Sequence, residues 1–595
     1  MKIAFPKNIL FLPLIILFSA LFTPSVLAQG ADYLIVCDKQ FKPAADTLAA
    51  WRKKTGLISK VATTEETGTT TDAIKAYVQN AYDTWDPAPA YLLIIGDTQF
   101  VPTNYMADQV ATDLYYATLD GQDYFPDLAY GRISIVTPEQ AVKRVNDIID
   151  YETKKINDDS FYTTAACVST YLDEDHDNLD DLRALTSEEV AIFLQNRKNY
   201  SLKRIYYCDP ALTPQTWKTI FPIYMGNDTG PAGSMNGTIP DFLKKPQFAW
   251  DGKNTDIQSA INSGCSLLTY VSGHGSTMGL ISLPYSTSDV VNLTNGNKLP
   301  MIWSMTCLTG AFDLIHTPNG MDPPGTPADT CFSEALERNP HGGAIGIVAS
   351  SRVAVTFDCG FLTWGLMNYL WPEYSEYTLY PRPETPRGMG DALNYAKLYG
   401  KSRLWNGGNI TFEEWHWFGD PATRFWTGVP KNLKVSQPDS LKINTNENIT
   451  ISVTDEQNNP IEEAMVTIST VNAPSDYWRA TTDASGNAVF SLIITQSDDY
   501  DIVVTKSEFL SYQGTVYSSG VNYNKIFVDK ANSGTADGSP EHPLSKVSQG
   551  VTQVNSYGTV AIKTGVYGAG ENKPLRINKA MKLQAVGGPV TIKPS

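Results

Sequence analysis

Two residues of this chain have types and a sequence setting that could support nucleophilic chemistry. His274 lies in Tyr270-Val271-Ser272-Gly273-His274-Gly275-Ser276, directly behind an apolar run and between two glycines. Cys307 closes Leu299-Pro300-Met301-Ile302-Trp303-Ser304-Met305-Thr306-Cys307, a second apolar run. A cysteine attacks a carbonyl carbon as the thiolate, and an imidazole beside it takes the proton or stabilises the anion. The glycines let another backbone come close. The peptide N–H groups of Gly275 and Cys307 would then face the developing oxyanion, at roughly 3 kcal/mol per donor. A cysteine at a strand end is ordinarily a small core residue; its histidine partner sets Cys307 apart. The remaining histidines, His176, His316, His341, His416 and His542, have no nucleophile in their context and are expected to be structural or solvated.

Strand and helix patterns must bring the two together. Ala31 to Cys37 and Tyr91 to Asp97 are short apolar runs of strand type, separated by helical patterns at about Phe41 to Gly56 and through Thr71 to Val78. The alternation continues with a run at Leu128 to Ile135, a helix at Pro138 to Lys155, and buried-strand patterns at Ala165 to Ser169, Ser266 to Val271, Pro300 to Met305 and Ala344 to Ala349. Such alternation implies parallel strands covered on both faces, the α/β class. Strands that run parallel end at one sheet edge, where α/β proteins bind ligands. His274 and Cys307 are therefore expected to meet there.

A strand ending in His-Gly followed by a strand ending in Cys resembles the caspase, legumain and gingipain group of peptidases, and the gingipain family in particular. The likeness extends over residues 30 to 428 through Leu93-Ile94-Ile95-Gly96-Asp97, Tyr130-Gly131-Arg132-Ile133-Ser134, Cys208-Asp209-Pro210, Cys331-Phe332-Ser333-Glu334-Ala335-Leu336, Gly346-Ile347-Val348-Ala349-Ser350 and Trp417-Phe418-Gly419-Asp420-Pro421. The alternation reads as one large α/β block or as two subdomains, 29–157 and 158–428, and the resemblance implies a caspase-like α/β fold with Cys307 as nucleophile and His274 as general acid/base. It also implies an acid just before the Gly-Arg element that assists the histidine; Asp127 is in register. Gingipains cleave after Arg or Lys using acid and aromatic groups in the first pocket. Here the segment behind Ser351 reads Arg352-Val353-Ala354-Val355-Thr356-Phe357, without the expected aromatic near Thr356, and Glu139 and Asp313 are the acids considered for that pocket.

Composition shifts at Pro430. Alternating segments at Ile449 to Val453, Met465 to Ile468 and Ala488 to Leu492, separated by turns, predict a β-sandwich resembling immunoglobulin-like modules over 429–520. Residues 521–595 resemble the entry to a right-handed, pectate-lyase-like parallel β-helix. Only about two or three rungs are expected there, and stacked coils need neighbours to cover their ends.

At 595 residues the chain is too long for one core, and its 42% hydrophobic content is that of a globular protein. The net charge of -17 is distributed, with no Lys/Arg block, which argues against nucleic acid as a partner. Residues 1–28, with Lys2 and Lys7, the apolar run Ile9 to Phe18 and Val26-Leu27-Ala28, read as a secretory signal peptide, and no later stretch is long enough for a membrane span. Seven cysteines, an odd number, leave at least one free in an oxidising compartment, and their spacing does not suggest zinc. The acidic run Leu172 to Asp181 places Asp173, Asp175 and Asp177 as weak calcium candidates, although it lacks the glycine and glutamate of an EF-hand loop. No cofactor is required for the chemistry; calcium would be a structural ion.

The function expected is a secreted or cell-surface cysteine endopeptidase acting on proteins or peptides through a thioester. The alternative is a catalytically inactive surface or adhesion protein whose C-terminal β modules contact a cell surface or carbohydrate.

Overall fold

Ten short strands build the central sheet, and their sequences explain why they are buried. β1 (Tyr33–Cys37) and β3 (Tyr91–Ile95) are buried at every position, as strands covered on both faces must be. The others are β2 (Ser59–Thr63), β4 (Ala129–Ile133), β5 (Thr164–Tyr171), β6 (Ser201–Cys208), β7 (Leu267–Val271), β8 (Met301–Met305), β9 (Gly346–Ser350) and β10 (Trp415–Phe418). The computed structural model describes residues 30–106, 109–121, 123–173, 183–216, 238–271, 273–313, 330–374, 388–401, 409–443, 446–470, 476–494, 498–519, 523–568, 575, 577 and 579–593. The proposed signal peptide lies outside these residues.

The strand order is β2-β1-β3-β4-β10-β9-β8-β7-β5-β6. The first four run parallel, and so do the last five. β10 pairs antiparallel to β9 and parallel to β4, so chain direction reverses between β10 and β9. The residues on either side of 157 thus form halves of one continuous sheet, joined by a strand from the far end of the α/β region. One edge of the sheet collects the C-terminal ends of β7, β8 and β9 and the N-terminal ends of β4 and β10.

Alternate residues of β1 face opposite layers, as a period of two requires. Tyr33, Ile35 and Cys37 join the core under α1 (Lys42–Lys54), whereas Leu34 and Val36 join Ile74 and Val78 of α2 (Thr71–Thr84). α3 (Pro138–Thr153) starts at a capping box of Thr137 and Gln140 with Pro138 at its first turn, a strong helix-start signal. Buried ions tie the halves together: Arg52 binds Asp420 and Glu152, and the Tyr33 hydroxyl donates to Asp420 at 2.7 Å.

Behind Pro430, a three-stranded sheet and a five-stranded sheet share a core of Ile451, Val453, Val466, Ile468, Phe490 and Ile502. This sandwich docks on the end of α1. The Tyr477 hydroxyl donates to the Lys53 carbonyl at 3.1 Å, Thr467 Oγ1 donates to the Lys54 carbonyl, and Arg479 Nη1 donates to the Gly56 carbonyl at 2.6 Å. Carbonyls left open at a helix C-terminus are thereby satisfied from the neighbouring module. Further on, Lys525–Val528, Thr559–Tyr567 and Lys582–Ile592 form a three-stranded parallel sheet with the helix Val547–Gln553 between the first two.

Candidate active site

The register of β7 and β8 fixes the site. Val271 pairs with Met305, so both chains leave the sheet at one level, His274 three residues beyond and Cys307 two. Thr306 Oγ1 donates to the Gly273 carbonyl, binding the two exits together. A Cβ on Gly275 would lie 2.4 Å from the Cys307 carbonyl oxygen, and one on Gly273 would lie 1.7 Å from the Tyr270 hydroxyl oxygen. A side chain at Gly275 would collide with backbone, and one at Gly273 would have to displace the Tyr270 ring. The histidine and cysteine segments lie side by side at one sheet edge.

Past His274 the chain turns into a short hairpin, Gly275–Ser276 against Gly279–Leu280. The His274 N–H donates to Ser282 Oγ at 3.0 Å, and its carbonyl accepts from the Ile281 N–H at 2.8 Å and from the Tyr270 hydroxyl at 3.2 Å. The Ile281 bond makes Gly275 and Leu280 a non-hydrogen-bonded pair. The Gly275 N–H therefore lies outside the ladder, as an oxyanion donor must. The His274 side chain is exposed.

Past Cys307 the chain bends sharply. Leu308 has φ +61°, a left-handed conformation that is uncommon for leucine. Its N–H donates to the Arg352 carbonyl at 2.9 Å and Gly310 N–H to the Ser350 carbonyl at 2.9 Å, holding the turn on the end of β9. The Cys307 thiol lies 3.6 Å from the Ala354 carbonyl. Phe312 packs 5.1 Å from the Arg132 guanidinium and edge-on to His416.

Burial separates the seven cysteines. None is in a disulfide, six are buried, and Cys307 alone is half-exposed. Burial pushes the thiols of Cys37, Cys167 and Cys265 up to about 12 and raises those of Cys208 and Cys331. Thiols so disfavoured as anions are poor nucleophiles. His416 is fully enclosed, its Nε2 accepting the Asp113 N–H at 3.2 Å, and burial lowers its ring to about 4. It is a neutral structural histidine, whereas His341 and His542 are exposed and His176 and His316 lie outside the described residues.

Asp127 precedes β4 on the same edge, yet its hydrogen bonds go elsewhere. Its Oδ2 accepts the N–H groups of Leu119 at 2.5 Å and Asp120 at 2.8 Å, and its own N–H donates to the Ala117 carbonyl at 2.7 Å. Among the described residues none of its bonds reaches His274. The Gly-Arg element behind it is structural: Arg132 is buried, paired with Asp113 at 2.7 and 2.8 Å, and bonded to the Gly96 and Val101 carbonyls.

The pocket acids divide. Glu139 is exposed in the first turn of α3, which follows β4 at the opposite edge of the sheet. Asp313 is at the site but engaged: Arg352 holds both its oxygens, Nη1 to Oδ1 at 2.9 Å and Nη2 to Oδ2 at 2.6 Å. That pair was not visible in the sequence, where the departure from the gingipain pattern was the aromatic missing near Thr356. The turn at Leu308 and the tie from Thr306 to Gly273 were also missed, the first because leucine gives no signal for a left-handed residue. Of the calcium candidates, Asp173 is buried and Asp175 and Asp177 lie outside the described residues. The described residues contain no group of three His, Cys, Asp or Glu that could hold a metal, and no helix long and apolar enough to cross a membrane.

The family model described as "Peptidase family C25" matches residues 26–426. Gingipain R1 of Porphyromonas gingivalis is 23% identical over 532 residues, covering 89% of this chain and 45% of that protein. Lys-gingipain HG66 of the same organism is 24% identical over 511 residues, covering 80% of this chain and 25% of that one. This chain therefore spans less than half the length of these relatives. Among solved structures, the Arg-specific cysteine proteinase gingipain R (RGPB) superposes with a TM-score of 0.64 at 20% identity, over 84% of this chain and all of that one. At that identity the likeness is one of fold.

Proposed function

Since the chain belongs to peptidase family C25, we propose that it is an exported cysteine endopeptidase in which Cys307 attacks the peptide carbonyl and His274 moves the proton. The Cys307 thiol gives its proton to the His274 imidazole, and the thiolate adds to the carbonyl carbon. The oxyanion so formed faces the Gly275 N–H, outside its ladder, with the Cys307 N–H as the second donor. The imidazolium returns the proton to the leaving amine as the C–N bond breaks, giving a thioester. Water then attacks the thioester, with His274 taking a proton from it, and the acid departs as the thiol re-forms. Export rests on the apolar run before Ala28.

One observation carries the reading: two strands paired in register end in His-Gly and Cys, with Gly275 packed against the Cys307 carbonyl. Asp127 fits a positioning role for the loop at 117–120, which it anchors. The test is hydrolysis of an unfolded protein substrate by wild type, Cys307→Ala and His274→Ala. Loss of at least a thousandfold in both variants, with unchanged thermal unfolding, supports the reading. Wild-type rates in Cys307→Ala would refute it and favour a binding protein.

A further inference from the structure

The surface beside the Cys307 sulfur is made by the segment behind β9, and one side chain organises it. Arg352 uses all five guanidinium N–H groups. Two go to the Asp313 oxygens at 2.9 and 2.6 Å, two to the Gln109 carbonyl at 2.9 and 2.6 Å, and one to the Ser351 carbonyl at 2.7 Å. Gln109, like Leu308, is left-handed, with φ +61°. The arginine thus holds two such residues, one through its side chain and one through its carbonyl. It also joins three stretches of chain: the loop from the first half, the turn behind the nucleophile, and the wall at 350–355.

The electrostatic consequence concerns the substrate. A residue acylated on Cys307 must put its side chain within a few ångström of the sulfur. Ala354 lies against that sulfur, with Arg352 two residues before it. Asp313 is the carboxylate that this wall touches, and the bidentate pair neutralises it. Arg352 and Asp313 are 19% and 8% exposed, so a substrate cation would have to displace a satisfied, largely dry arginine to reach the acid. Among the described residues of this wall, the exposed side chains are Val353 at 53% and Val355 at 50%, with the Tyr105 ring, beside Asp313, 45% exposed.

We propose that Arg352 is the specificity-determining residue of this site: by occupying Asp313 it excludes Arg and Lys from the position before the cleaved bond and leaves a surface for uncharged, apolar side chains. The inference rests on the reading of Cys307 as nucleophile.

The experiment uses the full chain and two peptidyl acyloxymethyl ketones that differ only in that position, one carrying arginine and one valine. Wild type is expected to be labelled at Cys307 at least tenfold faster by the valine probe. In Arg352→Gln, which frees Asp313, the arginine-to-valine ratio of labelling rates should rise at least tenfold, and adding Asp313→Asn should reverse that gain. Faster labelling of wild type by the arginine probe, or an unchanged ratio in a folded Arg352→Gln, overturns the inference and leaves the peptidase reading in place. Failure of both probes to label wild type overturns the peptidase reading and this inference with it. The wild-type comparison stands by itself if Arg352→Gln does not fold.

Discussion

Gly275 and Cys307 are so close that a methyl group on Gly275 would stand 2.4 Å from the Cys307 carbonyl oxygen. Real Cβ atoms do not approach an oxygen so nearly, so Gly275→Ala must push the His274 segment away from the nucleophile. Losing one oxyanion donor costs about a hundredfold to a thousandfold in kcat. Gly275→Ala is expected to lose at least that much in peptide hydrolysis and to unfold within a few degrees of wild type. An active alanine variant would mean the two segments are not held as described.

Asp127 bonds to the amides of Leu119 and Asp120, and asparagine can accept the same two N–H groups through its carbonyl oxygen. Asp127→Asn is therefore expected to keep hydrolysis within tenfold of wild type, with an unchanged pH–rate profile. A carboxylate that oriented His274 would give a loss nearer ten-thousandfold. That larger loss, with a displaced pH profile, would restore Asp127 to the catalytic group.

Glu189 is enclosed against Trp364, whose indole N–H donates to it at 3.0 Å, and burial raises its carboxyl to about 8. The unfolded side chain ionises near 4.5, while the folded one keeps its proton to about 8. The folded state thus binds the extra proton across that window, and the stability tied to this group falls as pH rises through it. Glu189→Gln, measured by thermal unfolding at pH 5 and pH 8, should gain on wild type at the higher pH by several degrees. A difference independent of pH would show that Glu189 is ionised when folded.

Arg479 joins the sandwich to the peptidase region through Gly56 and a 2.6 Å contact with Asp32. Arg479→Ala leaves the Gly56 carbonyl without that donor, for an expected loss of about 1 kcal/mol, seen as a lower melting temperature. Because Arg479 docks beside β1 and β2, and β1 lies five strands along the sheet from β8, peptide hydrolysis at low temperature should not change. Unaltered melting would mean the contact contributes nothing to stability.

The elements that carry the site were legible because each is a short apolar run closed by a polar or glycine signal. The runs ending at Val271 and Met305 also named the residues that must follow them at the sheet edge. Two things were not legible. Trp415–Phe418 inserts between the halves, antiparallel to β9 and parallel to β4, and four aromatic-rich residues carry no periodicity that says where they pair. The Arg352–Asp313 pair joins residues on different loops, and ion pairs across loops leave no local pattern. Asp127 is the opposite case: it was placed by the family motif in register, and its hydrogen bonds to the loop before it left no signal in the sequence.

The central claim is that Cys307, alone among seven cysteines, is the nucleophile. Limited alkylation of the full chain with iodoacetamide, followed by peptide mapping and a parallel assay of peptide hydrolysis, addresses it directly. Cys307 is expected to be modified first, with activity lost in proportion to its modification, while the buried thiols stay intact in the folded protein. Full modification of Cys307 with hydrolysis preserved, or activity lost with modification at another cysteine, would contradict it.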